Sequence, residues 1–555
     1  MERINVVLLA LNEKAIQQAL SALNPATANL VAIVTENGNR VLNLGAMKLP
    51  LVSFSAIPLL VNQSKKFVWL ICGFVNNASD IYRTKKFLIT CGVPEDNIIN
   101  FERMMSTEWL ANLRYIEKYG ADFFATGISY TEVGLNLHYI PQMRLGGGVN
   151  LSGSNQDLLQ GYLTAKYVFE HVKPGTIKFV IIGLAPYSFR YENAKAFTVC
   201  TRHLQYMLAL NVPARNNHDR LLQTLISDNV KKFFASVGAE QADLNFDRTK
   251  NSLNREMTAK DLVNWENELK NLTKKLFPES VEKNFQILKD YIRLCTDHGA
   301  KPVGVVFPFA AAMHDKYSKE LLTLFRLAIR QLEDTTEFTC VDLFDLRLGY
   351  DCFYNMAHLN IRGASIASMA FGLELYKRKI LPLENFLGMN YEYFDLLSNL
   401  LPKDAYNALM SDVFKLSAER MRNKNKIKVG FVTDSAATWC GDKLYNYFAR
   451  DERFDPTVFL CLRMEKHTEK SIIKDFLNGI KQFKSRGLNV FAVSEPNADV
   501  PTQDVLIYLR PYMYHYPKSL QFSSLTPQTL ERVHTKESII MAKRIKLAKT
   551  ISSLS

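Results

Sequence analysis

The chain has 555 residues, of which 47% are hydrophobic and 22% charged, and a net charge of +13. At roughly 100 to 200 residues per domain this length holds about three or four domains with sizeable cores. The positive balance favours contact with anionic surfaces, but there is no aromatic-basic RNA-binding pattern and no zinc-finger spacing, so nucleic acid is not an expected partner.

The eight cysteines are far apart and form no CxxC. Several lie in apolar runs such as Phe338-Thr339-Cys340-Val341, which predicts reduced, buried thiols and no zinc site. Met1-Glu2-Arg3-Ile4-Asn5 does not read as a signal peptide. The longest apolar runs, such as Phe67 to Phe74, fall short of the roughly 20 residues of a membrane span. The expectation is a cytoplasmic protein that at most touches the anionic inner face of a membrane, with no cofactor and no metal.

The first 105 residues alternate strand-like and helix-like segments: strands at Ile4 to Leu9, Leu30 to Thr35 and Phe67 to Gly73, and a helix at Glu13 to Leu23. Such alternation predicts an α/β unit with a parallel sheet. Where a dinucleotide site carries GxGxxG, this chain reads Leu8-Leu9-Ala10-Leu11-Asn12-Glu13, so no backbone cradle for pyrophosphate is expected. The closing run Gly92-Val93-Pro94-Glu95-Asp96-Asn97-Ile98-Ile99-Asn100-Phe101 resembles that of the small Rossmann-like domain ahead of many bacterial sugar-modifying enzymes.

A second α/β region spans residues 115 to 380. Its strands are expected at Ala121 to Ala125, Ile177 to Leu184, Pro302 to Phe307 and Phe338 to Phe344, with a helix at Gln156 to Val172. Residues 213 to 298 read as a charged helical insertion covering one end of the sheet. Thr258 with Asp261 marks a helix start, and Leu262, Trp265, Leu269, Leu272 and Leu276 form one apolar face.

The chemistry-bearing residues of this region stand at strand ends. Gly127-Ile128-Ser129 follows the first strand, where a serine hydroxyl is presented at an edge. A serine is a weak nucleophile without a base, and His358 supplies one in Phe353-Tyr354-Asn355-Met356-Ala357-His358-Leu359-Asn360-Ile361-Arg362-Gly363. Taken from residues alone, Ser129 and His358 equally fit a structural hydrogen bond beneath a helical cap. Tyr130 and Glu132 follow the serine and either shape a pocket or, for Glu132, cap a helix.

Four blocks in order give these residues a family context. Thr126 to Gly134 (TGISYTEVG), Asn150 to Leu158 (NLSGSNQDL), Ile181 to Phe189 (IIGLAPYSF) and His358 to Ala364 (HLNIRGA) resemble those of bacterial SGNH hydrolase-like proteins. The resemblance implies a three-layer, flavodoxin-like α/β domain with Ser129 as nucleophile and His358 as base. It also implies an oxyanion site made by the Ser129 amide with a glycine and an asparagine. Gly127 and Gly183 are the glycine candidates, Asn150 is the side-chain donor, and Ser152 and Ser154 lie nearby. Two positions depart from the pattern. Asn355 stands where the family carries an aspartate, with Asp351 or Asp345 as substitutes, and Gly183-Leu184-Ala185-Pro186 replaces Gly-x-Asn-Asp.

Residues 385 to 425 read as helices and a linker, ending in Arg420, Arg422, Lys424, Lys426 and Lys428 with no acid between them, either a solvated face or a contact for anionic lipid. A third α/β unit, residues 426 to 530, has expected strands at Ile427 to Thr433, Thr457 to Leu460, Asn489 to Val493 and Val505 to Tyr508. Its opening Val429 to Ser435, and Asp504 to Tyr508 followed by Arg510 to Leu520 (RPYMYHYPKSL), resemble the front half of CDP-glycerol glycerophosphotransferases. That implies a partial GT-B-like Rossmann domain. Glu531 to Ser555 reads as a basic tail, outside that resemblance, which fits a truncated product. The function implied is a serine esterase or O-acyltransferase acting on an acylated cell-envelope glycan or its precursor. The alternatives are a non-catalytic assembly protein, or a glycerophosphotransferase fragment, in surface-polymer synthesis.

Overall fold

The computed structural model describes residues 2–10, 12–35, 40–44, 47–72, 78–101, 108–140, 147–242, 255–258, 260–261, 266, 269, 276–386, 397–398, 400–437, 439–462, 469–493, 501, 503–508 and 531–532. The described residues form an α/β structure, and the chain divides into two compact units, Met1–Asn136 with Gly147–Ala367, and Leu137–Gly146 with Ser368–Ser555.

The first unit holds two sheets. Strands β1 (Ile4–Ala10), β2 (Ala28–Thr35), β3 (Arg40–Leu44), β4 (Met47–Ser53), β5 (Val68–Cys72) and β6 (Ile98–Asn100) form one in the order β3-β4-β2-β1-β5-β6. All neighbours are parallel except the β3–β4 hairpin. That hairpin falls in a stretch without an expected strand, although Gly45-Ala46 separates two apolar-rich runs there. Helices α1 (Glu13–Ala22), α2 (Ile57–Gln63) and α3 (Ala78–Thr90) flank the sheet. Asn12 caps α1 by accepting from the Ala15 amide at 2.9 Å, which satisfies a backbone donor that the helix cannot. Val7, Leu9, Val34, Trp69 and Ile71 build the core on one face, joined there by Phe197 and Cys200 from the following region.

Helix α4 (Glu108–Tyr119) leads into the second sheet, made of β7 (Phe123–Gly127), β8 (Gly148–Asn150), β9 (Phe179–Leu184), β10 (Lys301–Val306) and β11 (Thr339–Asp342). Its order is β11-β10-β9-β7-β8, all parallel. In chain order this is 2-1-3-4-5, so connections leave β7 in opposite directions, and in open parallel sheets ligands bind at the carboxyl edge beside such a switch point. β7 and β9 are buried at every position, as expected of central strands covered on both faces. Helices α5 (Ser129–Gly134), α6 (Leu158–His171) and α7 (His203–Leu210) follow. A reciprocal capping box of Asp157 and Gln160 fixes the start of α6, one residue pair inside the expected boundary.

Within the expected insertion, Arg255 lies 4.7 Å from the Tyr354 ring, beside the segment that carries His358, whereas the first two helices pack elsewhere. These two, α8 (Asn217–Leu225) and α9 (Asp228–Ser236), pack against β6 and α1 of the N-terminal sheet. The Asn24 amide donates to Leu225 O and the Ser227 amide to Ala22 O, each at 2.7 Å. Leu222, Leu225, Val230 and Phe234 supply the buried side chains. The helix Val281–Asp297 is a regular flanking element ahead of β10, packed on α6. Thr258 and Asp261 do bond reciprocally, with the Thr258 amide 2.8 Å from Asp261 Oδ2. Leu262, Trp265 and Leu272 lie outside the described residues.

The second unit contains the helix Lys403–Arg422 and a sheet of β14 (Ile427–Thr433), β15 (Phe454–Cys461), β16 (Val490–Val493), β17 (Val505–Tyr508) and β18 (Glu531–Arg532) in the order β16-β15-β14-β17-β18. Its core gathers Val429, Phe431, Phe448, Val458, Leu460 and Phe483. Of the basic run ahead of it, Lys424 pairs with Asp504. The aromatic run 511–520 and residues 533–555 fall outside the described residues. Among the described residues no helix is long and apolar enough to cross a membrane.

Candidate active site

β7 ends at Gly127, Ile128 makes the turn, and Ser129 is the first residue of α5. Two glycines allow this. Gly127 has φ +145°, a conformation side chains disfavour, and a Cβ there would lie 2.8 Å from Gly183. A Cβ on Gly183 would run into the Thr131 side chain. Helix α5 therefore settles directly on the end of β9, and Gly183 provides clearance for Thr131. The Gly127 amide donates to Gln156 Oε1 at 2.5 Å and its carbonyl accepts from Gly153 N at 2.9 Å.

His358 arrives from 229 residues away on a short antiparallel hairpin, β12 (Phe353–Asn355) and β13 (His358–Leu359). The hairpin is tied to the loop after β10 by Ala310 N donating to Met356 O at 3.0 Å. Ser129 Oγ lies 2.9 Å from His358 Nε2. His358 Nδ1 lies 2.9 Å from Asn355 Oδ1, and the same oxygen accepts from the amides of His358 at 2.9 Å and Ala357 at 3.0 Å. An amide oxygen only accepts, so Nδ1 carries the proton and Nε2 presents its lone pair to the Ser129 hydroxyl. Serine, imidazole and amide thus form one relay, all three partly exposed.

The two aspartates that the sequence offered in place of Asn355 are engaged elsewhere. Asp345 pairs with His314 at 3.0 Å and Arg326 at 2.6 Å, which hold its carboxyl below the ordinary range against the opposing effect of burial. Asp351 pairs with Arg362 at 2.6 Å. Asn150 is also committed: its Nδ2 donates to Thr131 O at 3.3 Å and its Oδ1 accepts from Ser152 N at 3.0 Å. It ties the β8 loop to α5. The Ser152 hydroxyl is buried and has no hydrogen-bond partner among the described residues.

Tyr130 is buried with its ring 5.0 Å from the His358 ring and 5.1 Å from Phe309, and its hydroxyl accepts from Tyr187 at 3.1 Å. It forms an aromatic floor under the imidazole. Glu132 lies in the first turn of α5. Its Oε2 accepts from Ser154 Oγ at 2.7 Å. A small cavity beneath the strand ends is lined by Thr126, Gly127, Gln156, Gly183 and Tyr291, among others.

Sequence reasoning missed the role of Gln156, whose amide holds the β7 terminus, Leu151 O and Tyr206 OH together. The signal was its place in the Asn150 to Leu158 block, where it read only as a helix start. Among the described residues no three His, Cys, Asp or Glu side chains cluster as metal ligands. The chain matches no protein-family model, and no curated protein matches it.

Proposed function

We propose that the first unit is a serine esterase or O-acyltransferase of the SGNH type, acting on an acylated cell-envelope glycan or its precursor. The observation that carries this reading is the relay of Ser129 Oγ, His358 and Asn355 Oδ1, each contact 2.9 Å long, at the carboxyl edge of a parallel sheet beside its switch point. The strand order of that sheet supports the flavodoxin-like architecture that the four sequence blocks suggest.

In this reading Ser129 Oγ attacks the ester carbonyl while His358 Nε2 takes its proton. The developing oxyanion faces the Ser129 amide, which as the first residue of its helix has no intrahelical acceptor. The imidazolium returns its proton to the leaving alcohol. Water, or an acceptor hydroxyl, then releases the acyl group by the reverse sequence. Asn355 holds the Nδ1–H tautomer as a carboxylate would, without the negative charge that stabilises an imidazolium, which predicts a slow enzyme.

The runner-up is a non-catalytic SGNH-like module in surface-polymer assembly. Asn355 in place of an acid and the commitment of Asn150 to Thr131 favour it. One experiment separates the two. The purified chain should hydrolyse p-nitrophenyl acetate, and Ser129→Ala and His358→Ala should each lower the rate at least about 100-fold. A wild-type rate equal to that of both variants supports the assembly reading. The region from residue 426 onward keeps the glycerophosphotransferase reading of its sequence, and the strand order of its sheet, 3-2-1-4-5 in chain order, supports a Rossmann-like arrangement.

A further inference from the structure

Glu132 and Ser154 form a polar strip near Ser129. Glu132 lies three residues beyond Ser129 in α5, so both project from the same helix face. Its carboxylate accepts from Ser154 Oγ at 2.7 Å, and the Ser154 carbonyl accepts from Arg202 Nη1 at 2.9 Å. The next residue, Asn155, has φ +63°, in the left-handed region that asparagine enters more readily than most non-glycine residues. Two donors hold it there, Tyr191 OH and Asn193 Nδ2, each 3.2 Å from the Asn155 carbonyl. Two hydrogen bonds to one carbonyl hold this turn in place. The turn sets Ser154 against Glu132. Glu132 and Ser154 are both only partly buried.

Elsewhere Tyr130 is buried against the His358 ring, and Phe309 packs on it. The Glu132 carboxylate, with the Ser154 oxygen whose hydrogen it holds, presents hydrogen-bond acceptors side by side, which hydroxyl donors satisfy. That is the surface a polyhydroxyl group requires, and a purely acyl ligand has no use for it. Resting on the esterase reading above, we propose that Glu132 is a specificity-determining residue, which recognises hydroxyl groups on the alcohol portion of the ester, so that the substrate is a polyol or sugar ester rather than a simple alkyl ester.

A hydrogen bond to a charged group contributes about 1.5 to 3 kcal/mol, and a site built for hydroxyls discriminates against analogues without them. The test compares glycerol monoacetate with ethyl acetate, which differ chiefly in two hydroxyls. The wild-type chain should favour the glycerol ester at least about tenfold in kcat/KM. Glu132→Gln should lower that preference about tenfold, mainly through the KM of the glycerol ester. An unchanged preference in Glu132→Gln, or a parallel fall for both esters, overturns the role given to Glu132. A wild-type chain that hydrolyses neither ester and is not labelled at Ser129 by a fluorophosphonate overturns the esterase reading, and this proposal with it. A wild-type chain that labels at Ser129 without preferring the glycerol ester overturns this proposal alone.

Discussion

Asn355 sets the chemistry at the scale of single residues. One amide oxygen takes the Nδ1 proton of His358 and two backbone amides. It therefore does two tasks, shaping the hairpin and selecting the tautomer. Asn355→Asp keeps the acceptor and adds a charge that favours the imidazolium, so kcat should rise at least about tenfold. Asn355→Ala removes the acceptor for all three N–H groups and should lower both activity and thermal midpoint. A kcat for Asn355→Asp at or below that of the wild type contradicts a base role for His358. The sequence showed the amide in place of the acid, but not that both substitute aspartates would be held by arginines. Ion pairs among Asp345, Arg326 and His314 join positions up to 31 residues apart, and no local pattern announces them.

The elements most legible in the sequence were the apolar strands. The expected bounds of β14 and β17 coincide with the observed ones, and β1, β9 and β10 differ by one or two residues. Their continuous apolar runs have one stable fate, a sheet covered on both faces. The β3–β4 hairpin was illegible because its runs, RVLNL and MKLPLVS, show neither a long continuous apolar stretch nor strict alternation. The docking of α8 and α9 on the N-terminal sheet was illegible for another reason. An amphipathic helix announces that it has a partner without saying which. At the site, the order of Ser129 and His358 along the chain was readable, whereas the clearance that Gly183 gives Thr131 emerges only when α5 is laid over β9. Gly183→Ala places a methyl group against the Thr131 side chain. The variant should lose about 1 to 3 kcal/mol of stability in urea denaturation and, by shifting α5, most of its reaction with a fluorophosphonate. Full retention of both contradicts this packing.

For the molecule as a whole, a buried polar network ties the two sheets of the first unit together. Arg215 pairs with Asp219 at 2.8 Å, and Asp157, the N-cap of α6, stands 4.0 Å from the same guanidinium. Close by, His203 Nδ1 lies 3.3 Å from Gln160 Nε2. Burial, assisted by Arg215, lowers the His203 pKa to about 3. A histidine whose folded pKa is depressed stabilises the fold fully above its unfolded value near 6.5, and that contribution is lost as pH falls toward the folded value. Stability should therefore drop by about 2 kcal/mol between pH 7 and pH 5 through this group. His203→Asn should flatten that part of the slope, and an unaltered slope in the variant assigns the loss elsewhere. The network is remote in sequence from the nucleophile, yet Asp157 and Gln156 are adjacent, so the same loop serves fold and site. The claim on which all of this turns is that Ser129 is a nucleophile activated by His358. Incubating the chain with a fluorophosphonate and locating the adduct by peptide mass spectrometry tests it most directly. The expected result is a single phosphonylated peptide bearing Ser129, absent from His358→Ala. An unmodified Ser129, or equal labelling in the His358 variant, contradicts it.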